Sequence, residues 1–211
     1  MSEPLLEDAI KQALGIIRPK SNDKTHYEAL GRFIAAFANV EGVVHVLARK
    51  ISGLSDEKAR ILFGGMRLSD VLVRLRQLMP IDQATQDSYS ELDICLTQLA
   101  GISDRRHKLV HRGATYFAGG LISGNAQTAK SVKHMEVETI DENALTAMTL
   151  DCGSIYLRLS YLANPSATDQ HLVLILKSRP WRYIPPKANT QNQPPQKAPA
   201  KQKRQPSALQ E

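Results

Sequence analysis

Apolar side chains recur every three or four residues along most of this chain, and that spacing limits its fold more than any other feature. An α-helix has 3.6 residues per turn, so residues with this spacing share one helix face. Between positions 90 and 112 the apolar members of the stripe are Leu92, Leu96, Leu99, Ile102, Leu109 and Val110. Arg106 falls on the same face. The pattern therefore predicts a helix that holds an arginine where a core residue is expected.

The same periodicity predicts an all-α helical bundle. Its helices are expected over about residues 25–51, 55–63, 68–78, 83–112 and 141–162. Apolar residues 172–176 are expected to form a strand, a helical turn or a dimer contact. We therefore expect one folded domain over 25–177, preceded by an N-terminal helical extension over 1–24.

Capping residues and a glycine set the expected helix bounds. Thr25 with Glu28, and Thr139 with Glu142, have the spacing of capping boxes at the starts of the first and last helices. Gly53 follows the expected end of the first helix, where a glycine readily adopts a positive φ.

Residues 113–140 interrupt the helical pattern directly after the helix that carries Arg106. Residues 115–117 and 135–140 have the composition of short strands, and glycine-rich sequence lies between them. We expect a short β-hairpin-like insertion there.

The positive charge is concentrated at the C-terminus. Residues 178–211 contain seven basic residues and one acidic residue, so this segment has a net charge of +6. The whole chain has the same net charge of +6. From Pro185 onward this tail is rich in Pro, Gln and Lys, so it is expected to be disordered. It either adds sequence-independent attraction to RNA or to an acidic partner, or serves as a solubilising extension.

The composition favours a cytoplasmic protein. No apolar run looks long enough to cross a bilayer, and the N-terminal residues lack the pattern of a secretory signal. Cys95 and Cys152 have no metal-site spacing and are expected to be unpaired. The sequence contains no glycine-rich phosphate loop and no nucleophile elbow, which disfavours kinase-like and hydrolase functions.

Arg106 needs a partner at its expected position. An arginine stays protonated and is costly to bury alone, so it requires a carboxylate, a phosphate or a wet interface. Glu41, beside apolar positions of the first helix, is the candidate carboxylate. His111 lies about 140° and 7.5 Å from Arg106 along the helix. Because an arginine side chain is long, both are still able to reach one phosphate.

The segment from Arg106 through His107 to His111 resembles the Arg-polar-x3-His signature of HEPN domains. The sequence around 37–41, 54–56 and 68–72 is also similar to the front half of bacterial HEPN-type bundles, so the resemblance covers roughly residues 25–165. HEPN domains are small helical bundles, and many are metal-independent ribonucleases. The resemblance implies cleavage of RNA through its 2′-OH, without metal or cofactor.

The resemblance also implies a role for each motif residue. His111 would be the general base or acid, because histidine titrates near neutral pH. Arg106 would hold the phosphate with two parallel hydrogen bonds, and His107 would orient or assist Arg106 and His111. A homodimer is implied as well, in which two motifs face each other and the second supplies the histidine for the acid step.

Other candidate RNA contacts lie near the motif. Basic side chains attract the phosphate backbone and aromatic rings stack on bases. The candidates are Arg105, Lys108, Arg112, Tyr116 and Lys133. A basic run on a helix is also commonly a solvated face, and that interpretation stays open.

Several functions fit this sequence. The chain is expected to be a ribonuclease, in the setting of a toxin or phage-defence effector with a cognate antitoxin or regulator protein. The alternatives are a non-catalytic HEPN-like module that binds a partner protein or a nucleotide, and an antitoxin. The His-x3-His spacing of His107 and His111 also occurs in zinc proteases, but Lys108 stands where their glutamate is needed, which disfavours metal catalysis.

Overall fold

The computed structural model describes residues 21–79, 86–112, 115–117, 120–125, 129–131 and 135–185. These residues are mostly helical, with helices α1 (Ser21–Ile51), α2 (Asp56–Phe63), α3 (Leu68–Leu78), α4 (Gln86–His111), α5 (Glu142–Ala163) and α6 (Gln170–Ser178). A 3-10 turn, Pro165–Ala167, lies between α5 and α6. The predicted helical bundle is confirmed, and the apolar stretch 172–176 lies in the helix α6.

Helix α1 packs along α5, and this contact is the most extensive in the fold. The apolar faces of α1, α4 and α5 join in one continuous core. Its largest fully buried side chains include Phe33, Phe37 and Leu47 of α1, Leu92, Leu96, Leu99 and Ile102 of α4, and Leu145, Met148 and Ile155 of α5. Burying a side chain of this size contributes roughly 1.5–3 kcal/mol. The apolar stripes that the sequence predicts are therefore the main source of stability.

Helix α1 corrects one expectation. Its segment Lys24–Ile51 is long and apolar enough to cross a membrane, whereas the sequence was expected to contain no such segment. The core helix of a globular protein meets the same criteria of length and composition. In the bundle, apolar residues of this segment such as Phe33, Val40 and Val44 are fully buried by other helices.

The start of α1 differs from the predicted one. The helix begins at Ser21, so Thr25 and Glu28 lie inside it and not at a capping box at its start. The end agrees with the prediction, because Gly53 follows the helix with a φ of 64°. The last four residues of the predicted N-terminal extension, 21–24, thus belong to α1, and residues 1–20 lie outside the described residues.

The cap of α5 is also different. Asp141, not Thr139, is the N-cap residue, and its carboxylate accepts a hydrogen bond of 2.7 Å from the backbone N–H of Ala144. Thr139 belongs to a strand that ends at Ile140. The capping-box spacing was therefore misleading, because the carboxylate directly before the helix provides the cap by accepting from Ala144.

The described residues of the insertion form three strands and not the predicted two. Strands β1 (Thr115–Phe117), β2 (Gly120–Gly124) and β3 (Val137–Ile140) form an antiparallel sheet in that order. Glycines at both ends of β2 resemble a loop, so the sequence pattern does not reveal this strand. Gly120 is required for the pairing, since a Cβ at this position would lie 2.8 Å from Cγ2 of Thr139.

The segment 179–185, here called the strap, follows α6 and packs against the bundle. The carboxylate of Asp151 accepts hydrogen bonds from the backbone N–H groups of Arg182 at 3.0 Å and Tyr183 at 2.9 Å. The side-chain amide of Gln98 donates to the carbonyl oxygen of Tyr183 at 2.8 Å. The strap is thus a folded part of the basic C-terminal tail over 178–211, of which the part from Pro185 onward was expected to be disordered. Residues 186–211 lie outside the described residues.

Both cysteines are unpaired and buried, as predicted. Burial raises the pKa of Cys95 to about 12, and it raises the pKa of Cys152 to about 12 as well. Near neutral pH both thiols are therefore protonated, which makes them poor nucleophiles.

A buried ion pair joins α4 to α5. The carboxylate of Glu91 accepts hydrogen bonds from Nε of Arg158 at 2.6 Å and from Nη2 of Arg158 at 3.1 Å. The ring of Trp181 in the strap lies 4.6 Å from the guanidinium carbon of Arg158, and Nζ of Lys177 lies 3.8 Å from Glu91. The strap and α6 thus cover the ion pair.

Arg158→Ala is expected to lower the free energy of unfolding by about 3–5 kcal/mol, because Glu91 would remain buried without its main partner. Urea titration followed by circular dichroism measures the change. Replacing both residues, Glu91→Gln with Arg158→Met, should recover part of the loss. A loss as small as that of Arg179→Ala, an exposed arginine next to α6, would contradict the expectation.

Candidate functional site

The motif residues line a cleft of about 680 Å³ between α1, α3 and α4, here called the motif cleft. Helix α1 contributes Phe37 and Glu41, the start of α3 contributes Arg67, Leu68, Ser69 and Leu72, and α4 contributes Ala100, Ser103, Asp104, Arg106, His107 and His111. The structure thus brings the three predicted catalytic residues and the supporting Glu41 together in one place.

Arg106 is half-buried at the edge of the core. Its guanidinium carbon lies 5.5 Å from the ring centroid of Phe37, at the distance of a cation–π contact. Its Nε atom is buried and has no hydrogen-bond partner among the described residues. A buried donor without a partner costs roughly 1–3 kcal/mol. Arg106 is therefore a cleft residue with an unsatisfied hydrogen-bond donor among the described residues.

The predicted pair between Arg106 and Glu41 does not form. Both residues line the motif cleft, but no ion pair or hydrogen bond joins them. The sequence places Glu41 on the correct side of α1, because Phe37, one turn earlier, contacts Arg106. Whether two charged side chains meet depends on the distance between helices, which periodicity does not specify.

His107 and His111 lie one helical turn apart and face each other. Their ring centroids are 4.5 Å apart and the ring planes are tilted by 43°. Both side chains are exposed, so they are accessible to a substrate and to water. The predicted shared face of the two histidines is confirmed.

The other basic residues in and directly after α4 are paired with carboxylates in and directly before β3. Arg105 forms an ion pair with Glu138 and donates from Nε to the hydroxyl of Tyr183 at 2.8 Å. Lys108 lies 3.0 Å from Glu138. Arg112 lies 2.7 Å from Glu136.

These contacts change the expected role of the basic run. Desolvation acts to lower the pKa of Lys108, but the hydrogen bonds to Glu138 and Asp104 outweigh it, so the pKa is raised. The hydrogen bond from Arg112 lowers the pKa of Glu136. Arg105, Lys108 and Arg112 thus hold β3 against α4, and they form neither a freely solvated face nor an unpaired basic surface for RNA.

Two of the candidate RNA contacts fall where side chains are not described. Tyr116 lies in β1, where its backbone pairs with Leu121, but nothing is described of its side chain. Lys133 lies outside the described residues.

Arg67 is a cleft residue that sequence reasoning does not identify. It occupies the N-cap position of α3, it is exposed, and its side chain makes no capping hydrogen bond. In the sequence it marks only the expected start of a helix. The packing of α3 beside α1 brings it to the same cleft as Arg106.

Comparison of the chain with protein-family models, curated proteins and solved structures finds no match. The HEPN resemblance therefore stays a prediction. What bears on function is the motif itself and the geometry of the cleft around it.

Glu138→Gln is expected to lower the free energy of unfolding by about 1–3 kcal/mol at neutral pH, because Arg105 and Lys108 lose a charged acceptor. The raised pKa of Lys108 means that its share of the stability is present below its ordinary pKa of 10.5 and is lost as pH rises through the folded value. Urea titrations at neutral and alkaline pH measure both effects. Glu142→Gln, an exposed glutamate of α5, is the control, and an equal loss in both variants would contradict the expectation.

Proposed function

We propose that the protein is a metal-independent endoribonuclease of HEPN type. One observation carries the proposal: Arg106, His107 and His111 line a single cleft, and Nε of Arg106 has no partner among the described residues. A long cation with an unused donor beside two accessible histidines suits a phosphodiester substrate. The family resemblance supplies the reaction type.

In the proposed reaction His111 takes the proton of the 2′-OH next to the scissile phosphate. The 2′-oxygen then attacks phosphorus while the bond to the 5′-oxygen breaks, and a second histidine protonates the leaving oxygen. Arg106 stabilises the charge that develops on the phosphoryl oxygens. His107, whose ring lies 4.5 Å from that of His111, orients or assists it. The products are a 2′,3′-cyclic phosphate end and a 5′-hydroxyl end.

The second histidine is the part of the proposal that requires a dimer. In a homodimer a second copy of the motif would supply it, as the family resemblance implies. The setting that we propose is cytoplasmic, as a toxin or phage-defence effector with a cognate antitoxin or regulator protein.

The wild-type protein is expected to cleave mixed cellular RNA in excess EDTA and to leave 2′,3′-cyclic phosphate ends. His111→Ala is expected to abolish cleavage, because it removes the group that moves the proton. His171→Ala, which removes an exposed histidine of α6 outside the cleft, should cleave as wild type does. Absence of cleavage by the wild type across several RNA classes and pH values would reject the proposal.

Arg106→Ala separates a catalytic role from a structural one. Arg106 has no ion pair to lose among the described residues, and its removal also relieves the cost of the buried Nε. Loss of the contact with Phe37 should therefore lower the stability by no more than about 0.5–1 kcal/mol. RNA cleavage should fall about 100-fold or more, because the developing charge loses its donor. Thermal unfolding and a cleavage assay on the same preparation measure both. A destabilisation of about 3–5 kcal/mol would instead indicate a structural arginine.

A non-catalytic module that binds a partner protein or a nucleotide is the second candidate. The observation that favours it is the neutralisation of Arg105, Lys108 and Arg112 by Glu136 and Glu138, which removes cations that RNA would otherwise attract. On this alternative the motif cleft binds its ligand without cleaving it.

A further inference from the structure

In the sequence, helix α3 lies between Arg67 and the motif, but Arg67 lines the same cleft as the motif residues. It directly precedes α3, whereas Arg106 and both histidines belong to α4. Its side chain is exposed and has neither an ion pair nor a hydrogen bond among the described residues. The cleft therefore presents two arginines from two different helices.

The charged side chains around the cleft differ in whether they have an ion-pair partner. Of the two carboxylates that line it, Asp104 lies 3.2 Å from Lys108 and is paired with it. Glu41 forms no ion pair within the described part of the chain, with either arginine or with another residue. Because Arg67 and Arg106 have no carboxylate partner there either, both remain available for anionic groups of a ligand.

The size of the cleft exceeds what one phosphate group needs. A volume of about 680 Å³ lies within the range of sites that enclose a whole small molecule. Leu68, Leu72 and the exposed Ala100 give part of the lining an apolar character, beside which a sugar or a base can pack. The cleft thus has room for a nucleoside unit beside the scissile phosphate.

We propose that Arg67 binds a phosphate of the RNA strand other than the scissile one. Arg106 then holds the scissile phosphate, and Arg67 sets the position of the strand along the cleft. Arg67 is a positioning residue in this arrangement, and the favoured substrate is a single strand with at least one phosphate beyond the cleaved linkage. This inference rests on the proposed ribonuclease function.

The experiment uses short single-stranded DNA with one ribonucleotide, so that only one linkage is cleavable. Each other phosphate is replaced in turn by an uncharged methylphosphonate, and kcat and KM are measured for wild type, Arg67→Ala, Arg67→Lys and Arg179→Ala. Arg179 is the matched control, because it is also an exposed arginine at a helix end and its side chain has no partner among the described residues.

In the wild type, one replacement should lower kcat/KM about fivefold to tenfold, mainly through KM, because one charge-assisted contact is lost. The same replacement should have no further effect in Arg67→Ala, whose KM is already raised. Arg67→Lys should recover part of the loss, and Arg179→Ala should behave as the wild type. A folding defect would affect every substrate equally, so it would not produce this pattern.

The inference is overturned if every methylphosphonate replacement lowers the kcat/KM of Arg67→Ala by the same factor as that of the wild type. If the wild type cleaves none of these substrates, Arg67 is tested by binding alone, and the proposed function is decided separately by the assay with mixed cellular RNA. Fluorescence anisotropy with the same oligonucleotides should show one linkage whose neutralisation weakens binding by the wild type but not by Arg67→Ala. Equal weakening in both variants would reject the phosphate contact on its own.

Discussion

The burial of the apolar stripe of α4 is the constraint on which the rest of the structure depends. One side of α4 packs into the core shared with α1 and α5, and Glu91 links it to Arg158. A second side is held by the acidic strand β3 through Glu138. Because two sides are held, the third presents Arg106 and the histidines to the cleft in a defined orientation. The sheet that follows α4 thus contacts a side of this helix other than the one that lines the motif cleft.

The cations of the motif helix differ in what they are able to bind. Arg105, Lys108 and Arg112 each lie beside a carboxylate, so a phosphate would have to displace a partner that is already in place. Arg106 has an aromatic contact but no carboxylate, and its Nε atom lacks a partner among the described residues. Within this basic run, Arg106 is therefore the residue whose positive charge is left to bind a phosphate. Arg67 adds a second such charge from another helix.

The secondary structure was predictable where it depends on local spacing. The bounds of α3 and the end of α1 follow from apolar periodicity and from a glycine with a positive φ, both of which act within a few residues. The strand β2 was not predictable, because Gly120 serves close approach to Thr139, and Gly124 to Glu136 and Val137, and neither serves a turn. The cap of α5 was misassigned since Thr139 and Asp141 both precede the helix, and the pairing of β3 decides which one caps it.

The sequence by itself determined the five longer helical segments, though not the helix over 172–176, and the unpaired cysteines. It also determined the candidate catalytic residues, because helical periodicity places Arg106, His107 and His111 within two turns of one another. Only the tertiary structure decided which charges are paired. It joins Arg105 to Glu138, 33 residues away, leaves Glu41 apart from Arg106, and brings Arg67 into the cleft. The physical reason is that these interactions act over different distances along the chain. Helix propensity and periodicity act over a few residues, whereas an ion pair depends on the distance between elements that packing brings together.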